Sequence, residues 1–273
     1  MIRVRVLVLH APGTNRDREA ALACQLAGAE PVIVPVSTLA AQPHQLETCQ
    51  MLVLPGGFSY GDDLGAGKVW SLDLRFRLIE VLTRFHERRR PMLGICNGFQ
   101  ALVKSGFLPG RLGGGLGQPV GTRDDGAVQT ATLTRNASAH FECRWVHLRP
   151  NAASHCVFTH DLHELIDCPV AHGEGRFLLA DPNDLPTLRA AGQVALTYVD
   201  DAGESAGGAY PTNPNGSLAD IAGVCDPTGT ILGLMPHPED HLWAAQHPLA
   251  GRGHQGRFGL ALFASGVRYA AQL

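Results

Sequence analysis

The chain has 273 residues, 45% of them hydrophobic and 17% charged, and carries a formal net charge of -3. This composition fits a globular protein with enough core to need no staples, and it excludes an intrinsically disordered chain. The charge offers no general electrostatic basis for binding nucleic acid or an anionic membrane, and no apolar run approaches the ~18 residues that span a bilayer. The seven cysteines are odd in number and include no C-x-x-C pair. They argue against a zinc ribbon or a complete disulfide framework, and for free thiols in a reducing cytoplasm.

In chain order, Val4–Leu9 is a short, nearly continuous apolar run, as expected of a strand buried on both faces. Asn15 to Gly28 has helical spacing through Ala20, Ala21, Cys24 and Ala27, with Gly28 as its stop. Pro31–Val36 and Met51–Leu54 read as strands, Leu72 to Phe85 as a helix, Met92–Ile95 as a strand and Asn97 to Gly106 as a helix. Arg88-Arg89-Arg90 reads as the charged last turn of a helix, where cations suit the dipole. Strands alternating with helices imply an α/β fold with a parallel, doubly wound sheet. In such sheets sites collect at the carboxyl ends of strands. From about Gly110 the pattern changes. Glycines crowd Gly113–Gly117, and shorter β-like pieces follow at Val128–Leu133, Cys143–Leu148, Val194–Val199 and Thr230–Met235. Asn213-Pro214-Asn215-Gly216-Ser217 is a turn signal, and Phe258 to Ala271 reads as a helix. A single domain over residues 1–273 is expected.

The strongest local signal is Gly94-Ile95-Cys96-Asn97-Gly98-Phe99-Gln100. A nucleophile stands between two glycines, after an apolar strand and before a helix, which is the pattern of a nucleophile elbow. The helix start behind it favours thiolate and supplies N–H groups for an oxyanion. A cysteine nucleophile needs a base, and the base needs an orienter. Met235-Pro236-His237-Pro238-Glu239 offers both, since the prolines restrict the backbone on each side of His237 and Glu239 lies two residues on. Pro55-Gly56-Gly57, also at a strand end, can present unobstructed N–H groups. The N–H of Gly57, with that of Asn97, is the expected oxyanion pair.

The order P-G-G, G-x-C-x-G-x-Q, H-P-E, each after a strand, resembles the class I, triad-type glutamine amidotransferases. Gly56–Asp62, Leu108-Pro109-Gly110, Pro169–Phe177 and Asn213–Ser217 narrow the resemblance to the glutaminase subunits of phosphoribosylformylglycinamidine synthase. The matches spread over roughly residues 4–240. The resemblance implies a flavodoxin-like, doubly wound and mainly parallel sheet. It implies Cys96 as nucleophile, His237 as proton carrier, Glu239 as its orienter, and Gln100 and the His172–Arg176 segment near the substrate, L-glutamine. It further implies no cofactor or metal in this chain, with ATP and magnesium used by a partner synthetase subunit, and a small third subunit. An amidotransferase for another acceptor, or a silent binding subunit, is the alternative; the presence of all three triad residues weighs against the silent one. Where the family has a basic residue after H-P-E, this chain has Asp240, and the stretch of about 240–273 reads as a C-terminal extension suited to a partner interface.

Two motifs are decoys. Gly61–Val69 resembles a P-loop, but Asp62 stands at the first glycine position and Val69 replaces the magnesium-binding hydroxyl. Gly251-Arg252-Gly253-His254-Gln255-Gly256 fits G-x-G-x-x-G, but no strand precedes it.

Overall fold

The computed structural model describes residues 3–110, 129–253 and 256–273. The Gly113–Gly117 glycines, the first residue of the strand expected at Val128–Leu133, and the His254-Gln255 pair lie outside the described residues.

The N-terminal half runs β1 (Arg5–His10), α1 (Asp17–Leu26), β2 (Glu30–Pro35), α2 (Val36–Ala41), α3 (His44–Glu47), β3 (Met51–Leu54), α4 (Lys68–Phe76), α5 (Ile79–Glu87), β4 (Met92–Ile95) and α6 (Asn97–Ser105). The second half runs β5 (Ala131–Thr134), β6 (Glu142–Pro150), β7 (Ile166–His172), β8 (Arg176–Leu179), α7 (Leu185–Ala190), β9 (Val194–Val199), β10 (Ile221–Cys225), β11 (Ile231–Leu234) and α8 (Leu260–Ala270). Nine strands form one sheet in the order β2-β1-β3-β4-β11-β10-β9-β6-β7. The first five are parallel, in the strand order of flavodoxin-like folds. The last four run antiparallel. β5 and β8 form a separate two-stranded ribbon.

The central strands β3, β4 and β11 are buried at every position, which is why they read as unbroken apolar runs rather than alternating ones. They are neighbours in register, with Leu54 beside Gly94 and Ile95 beside Leu234. Adjacent strands lie about 4.8 Å apart, so the loops after these three strands open at one place. The antiparallel half closes back on that place: the carbonyl of Pro169 in β7 accepts the His237 N–H at 2.8 Å.

Three differences from the sequence reading have physical causes. The Leu72–Phe85 helix is two helices, broken where the Leu78 N–H bonds the Asp73 carbonyl five residues back. The buried positions Leu74, Leu78, Val81, Leu82 and Phe85 keep helical spacing across the break, which hid it. The arginine run is not a last turn. α5 ends at Glu87, Arg89 has φ 57°, and Arg90 donates to the Glu47 and Cys49 carbonyls, both at 2.8 Å. β7 was missed because Asp167 and Pro169 interrupt its apolar pattern. A proline is tolerated there because β7 is a sheet edge.

Part of the extension is interior. Leu262, Phe263, Val267 and Ala270 of α8 are buried, and Trp145 takes the rings of His241 and His247 edge-on at 5.0 and 4.4 Å. No helix among the described residues is long and apolar enough to cross a membrane.

Candidate active site

Cys96 sits at the carboxyl end of β4 with φ 49° and ψ -104°. A non-glycine residue reaches such a conformation only when its surroundings hold it there. Its N–H extends the ladder to the Leu234 carbonyl at 2.8 Å, while its own carbonyl accepts the Gln100 N–H at 3.0 Å and opens α6. The chain therefore leaves a strand and enters a helix within one residue. Gly98 permits this: a Cβ there would lie 1.9 Å from the Leu54 carbonyl oxygen. Cys96 is 4% exposed, and its Sγ lies 3.8 Å from the Ala171 carbonyl oxygen.

His237 follows β11 in the adjacent loop. Its Nδ1 pairs with Glu239 Oε1 at 2.7 Å, and both side chains are buried. Burial alone would lower the His237 pKa. The Glu239 carboxylate, and after it the charge of Cys96, overcomes it and raises the imidazole well above its ordinary value. Gly56 marks how close the two loops come. A Cβ on Gly56 would lie 2.5 Å from His237 Cε1 and 3.5 Å from Cys96 Cβ, so nothing larger than a hydrogen fits between the glycine loop, the thiol and the imidazole.

The other cysteines are all free, but most are unsuited to nucleophilic work. Burial pushes Cys24 up to about 12 and raises Cys49 and Cys168. Cys225 is raised by its hydrogen bond with Cys156 and by burial.

A cavity of about 240 Å³ opens beside Cys96, lined in part by Gly57, Asp62, Gln100, His172 and Glu174. It is smaller than the ~300 Å³ at which sites for drug-sized molecules begin, so it suits a small metabolite. Its walls are braced from within. Asn97 Oδ1 accepts the Ser59 N–H at 3.0 Å, and its amide donates to Asp62 at 3.0 Å and to Gln100 at 2.9 Å. The Gln100 amide donates to the Glu174 carbonyl at 2.7 Å. Lys104 donates to the Ala66 carbonyl and pairs with Glu174 at 3.5 Å. Burial raises the Asp62 pKa, opposed by hydrogen bonds from the Gly67 N–H and the Asn97 amide.

Of the site residues expected from sequence, Gly57, Cys96, Gln100 and His172 line this cavity, with differing freedom, while Asn97, His237 and Glu239 do not line it. Gln100 lines it with its amide already bonded at both ends. His172 lines it too, but its ring is committed: Nδ1 meets Asn136 Oδ1 at 3.1 Å and Nε2 meets the Asn215 amide at 3.5 Å. Burial, and then the charge of His237, lowers its pKa to about 3, so it is a neutral ring. The Asn213–Ser217 turn supports this segment from behind, with Asn215 also bonded to the Tyr198 hydroxyl. Sequence reasoning named Gly56, Asp62 and Glu174 only within longer motifs, and it missed Arg16, whose Nε lies 3.4 Å from Asp240 Oδ2. Among the described residues one cluster could offer metal ligands, His237, Glu239 and Asp240, but His237 Nδ1 and Glu239 there already bond each other. The Gly61–Val69 decoy forms the loop into α4 and supplies the Asp62 and Ala66 contacts above.

Comparison with known proteins points the same way. Residues 3–270 match the family model of the CobB/CobQ-like glutamine amidotransferase domain, the class that a thiol elbow and an imidazole–carboxylate pair on this sheet define. The chain is 46% identical over 271 residues to the phosphoribosylformylglycinamidine synthase subunit PurQ of Treponema denticola, covering 98% of this chain and 99% of that one. It is 43% identical over 276 residues to the protein of the same name from Dehalococcoides mccartyi, covering all of both. It also matches a chain in the structure of PurLQS from Thermotoga maritima, with a TM-score of 0.69 and 31% identity over 98% of this chain and 99% of that one. The chain belongs to the glutamine amidotransferases and, within them, to the PurQ family.

Proposed function

We propose that this chain is the glutaminase subunit of phosphoribosylformylglycinamidine synthase. It hydrolyses L-glutamine to glutamate and ammonia, and the ammonia passes to a synthetase subunit that converts formylglycinamide ribonucleotide to formylglycinamidine ribonucleotide in purine synthesis. The observation that carries the reading is the Cys96 elbow beside an imidazole whose far nitrogen is held by Glu239 at 2.7 Å.

The steps follow from that arrangement. His237 takes the Cys96 proton, and the thiolate attacks the side-chain amide carbon of glutamine. The carbonyl electron pair moves onto oxygen, where the N–H groups of Gly57 and Asn97 receive it. The imidazolium returns its proton to the departing nitrogen, releasing ammonia and leaving a thioester. Water then gives a proton to His237 and attacks the thioester, and the thiolate leaves from glutamate. Glu239 orients the ring and stabilises its charge throughout. Gln100 and His172 shape the substrate wall through their bonded neighbours.

In this reading no cofactor binds here, and ATP and magnesium act in the synthetase subunit. A small third subunit completes a cytoplasmic complex. Residues 1–273 fold as one domain, a reading supported by a single core cluster that runs from Val4 to Ala270. The test is reconstitution with the synthetase and small subunits, ATP, magnesium and formylglycinamide ribonucleotide. Glutamine-dependent formation of the amidine is expected. An active complex that turns over with ammonia but never with glutamine would refute the assignment.

A further inference from the structure

The β1–α1 loop, Gly13–Arg16, holds the glycine loop in a defined orientation. Thr14 and Gly57 face each other across an isolated antiparallel bridge. The bonds flanking that bridge are Asn15 N–H to the Gly56 carbonyl at 3.4 Å and Phe58 N–H to the Gly13 carbonyl at 3.0 Å. Thr14 and Gly57 are therefore the non-hydrogen-bonded pair, whose own N–H and C=O groups point away from the partner strand. The Arg16 N–H adds a second bond to the Gly56 carbonyl at 3.3 Å. With that carbonyl turned toward the loop, the trans peptide turns the Gly57 N–H to the opposite side. Gly57 is flush with the loop on its first side, where a Cβ would lie 2.8 Å from the Asn15 nitrogen and from Thr14 Cα. It lines the Cys96 cavity on the other.

The loop is itself braced. The Thr14 N–H bonds the Ala11 carbonyl at 2.9 Å, and the Thr14 hydroxyl accepts the Ala11 N–H at 3.1 Å. Gly13 has φ 92°, and a Cβ there would lie 2.1 Å from the Phe58 carbonyl oxygen. Its side chain replaced by a hydrogen is what lets the two segments touch.

We propose that the Gly13–Arg16 loop is a positioning clamp that fixes the Gly56–Gly57 peptide with its N–H facing Cys96, so that this half of the oxyanion site stands formed in the free chain. The proposal rests on the glutaminase reading. The Arg16 side chain, paired with Asp240 beside Glu239, ties the same clamp to the loop that carries the base.

The test uses the γ-aldehyde analogue of glutamine. The Cys96 thiolate adds to the aldehyde carbon, the C=O pair moves onto oxygen, and that oxygen takes the proton held by His237, giving a thiohemiacetal. Iodoacetamide alkylates the same sulfur by displacing iodide and develops no oxyanion. In Gly13→Ala the aldehyde should bind about 10² to 10³-fold more weakly, while alkylation at Cys96 keeps its rate. Unchanged aldehyde affinity, or parallel loss of affinity and alkylation, overturns the clamp. A second measurement needs no variant. On adding the aldehyde to the wild-type chain, the Gly57 amide proton resonance should move while those of Asn15, Arg16 and Phe58 stay in place. Movement of all four would mean that the site is assembled on binding, against the proposal. If the wild-type chain forms no adduct at Cys96 with either reagent, the glutaminase reading fails and the clamp falls with it.

Discussion

Adding a single methyl group at Gly56 should disable the site without touching any reacting atom. The Gly56→Ala Cβ would lie 2.5 Å from His237 Cε1 and 3.2 Å from His237 Nδ1, whereas carbon atoms in contact settle at about 3.5–4.0 Å. The ring must give way by roughly 1 Å. It has little room to do so, because Nδ1 is held by Glu239 at 2.7 Å and the main chain by Pro169 at 2.8 Å. A misplacement of about 1 Å costs on the order of 10²-fold in rate, or about 2.7 kcal/mol of barrier. Overpacking should lower stability by about 1–3 kcal/mol. The assay is glutamate release from glutamine in the reconstituted complex, with kcat and KM resolved separately and a thermal melt run beside them. The fall should appear in kcat in a chain that remains folded at the assay temperature. A folded Gly56→Ala variant with wild-type kcat would refute the claim that His237 works in the position described.

Other outcomes follow from the same geometry. Cys96→Ala should abolish glutamine-dependent synthesis in the complex and leave the ammonia-dependent reaction intact; retained use of glutamine would sink the nucleophile. Glu239→Gln removes the negative charge that raises the His237 pKa, so the imidazolium loses its proton at lower pH. The alkaline limb of kcat/KM should move toward lower pH and kcat should drop; an unmoved limb would dissociate Glu239 from the base. His172, with its pKa lowered to about 3, refuses a proton that the unfolded chain accepts below about pH 6.5. The unfolded state then binds more protons between about pH 6.5 and pH 3, so stability falls as pH falls through that window. Denaturant titrations should give a slope against pH that is shallower in His172→Asn by up to one proton; equal slopes would contradict the buried neutral ring.

The candidate nucleophile and base were readable in the sequence because glycine and proline sit covalently next to them. Gly94 and Gly98 around Cys96, and Pro236 and Pro238 around His237, constrain the backbone locally, and local constraints survive in a linear reading. The parallel half of the sheet was readable for a similar reason, since β3 and β4 are buried throughout. What escaped depends on contacts far apart in the chain. Gly56 gains its meaning only because the loop after β11 folds against it. The ring of His172 is committed by Asn136 and Asn215, each about forty residues away. β7 was not read as a strand because Pro169 is acceptable only at a sheet edge, and edge status is a property of the assembled sheet. The break between α4 and α5 was invisible because the buried positions keep their helical spacing across it.

The central claim is that Cys96 is the thiol that attacks glutamine. Its most direct test is mass spectrometry of the intact chain, bound to its synthetase partner, after treatment with a glutamine-mimicking diazoketone in the presence and absence of glutamine. A single adduct on Cys96, prevented by glutamine, is the predicted result. An adduct confined to another cysteine, or no adduct in a complex that still consumes glutamine, would contradict it.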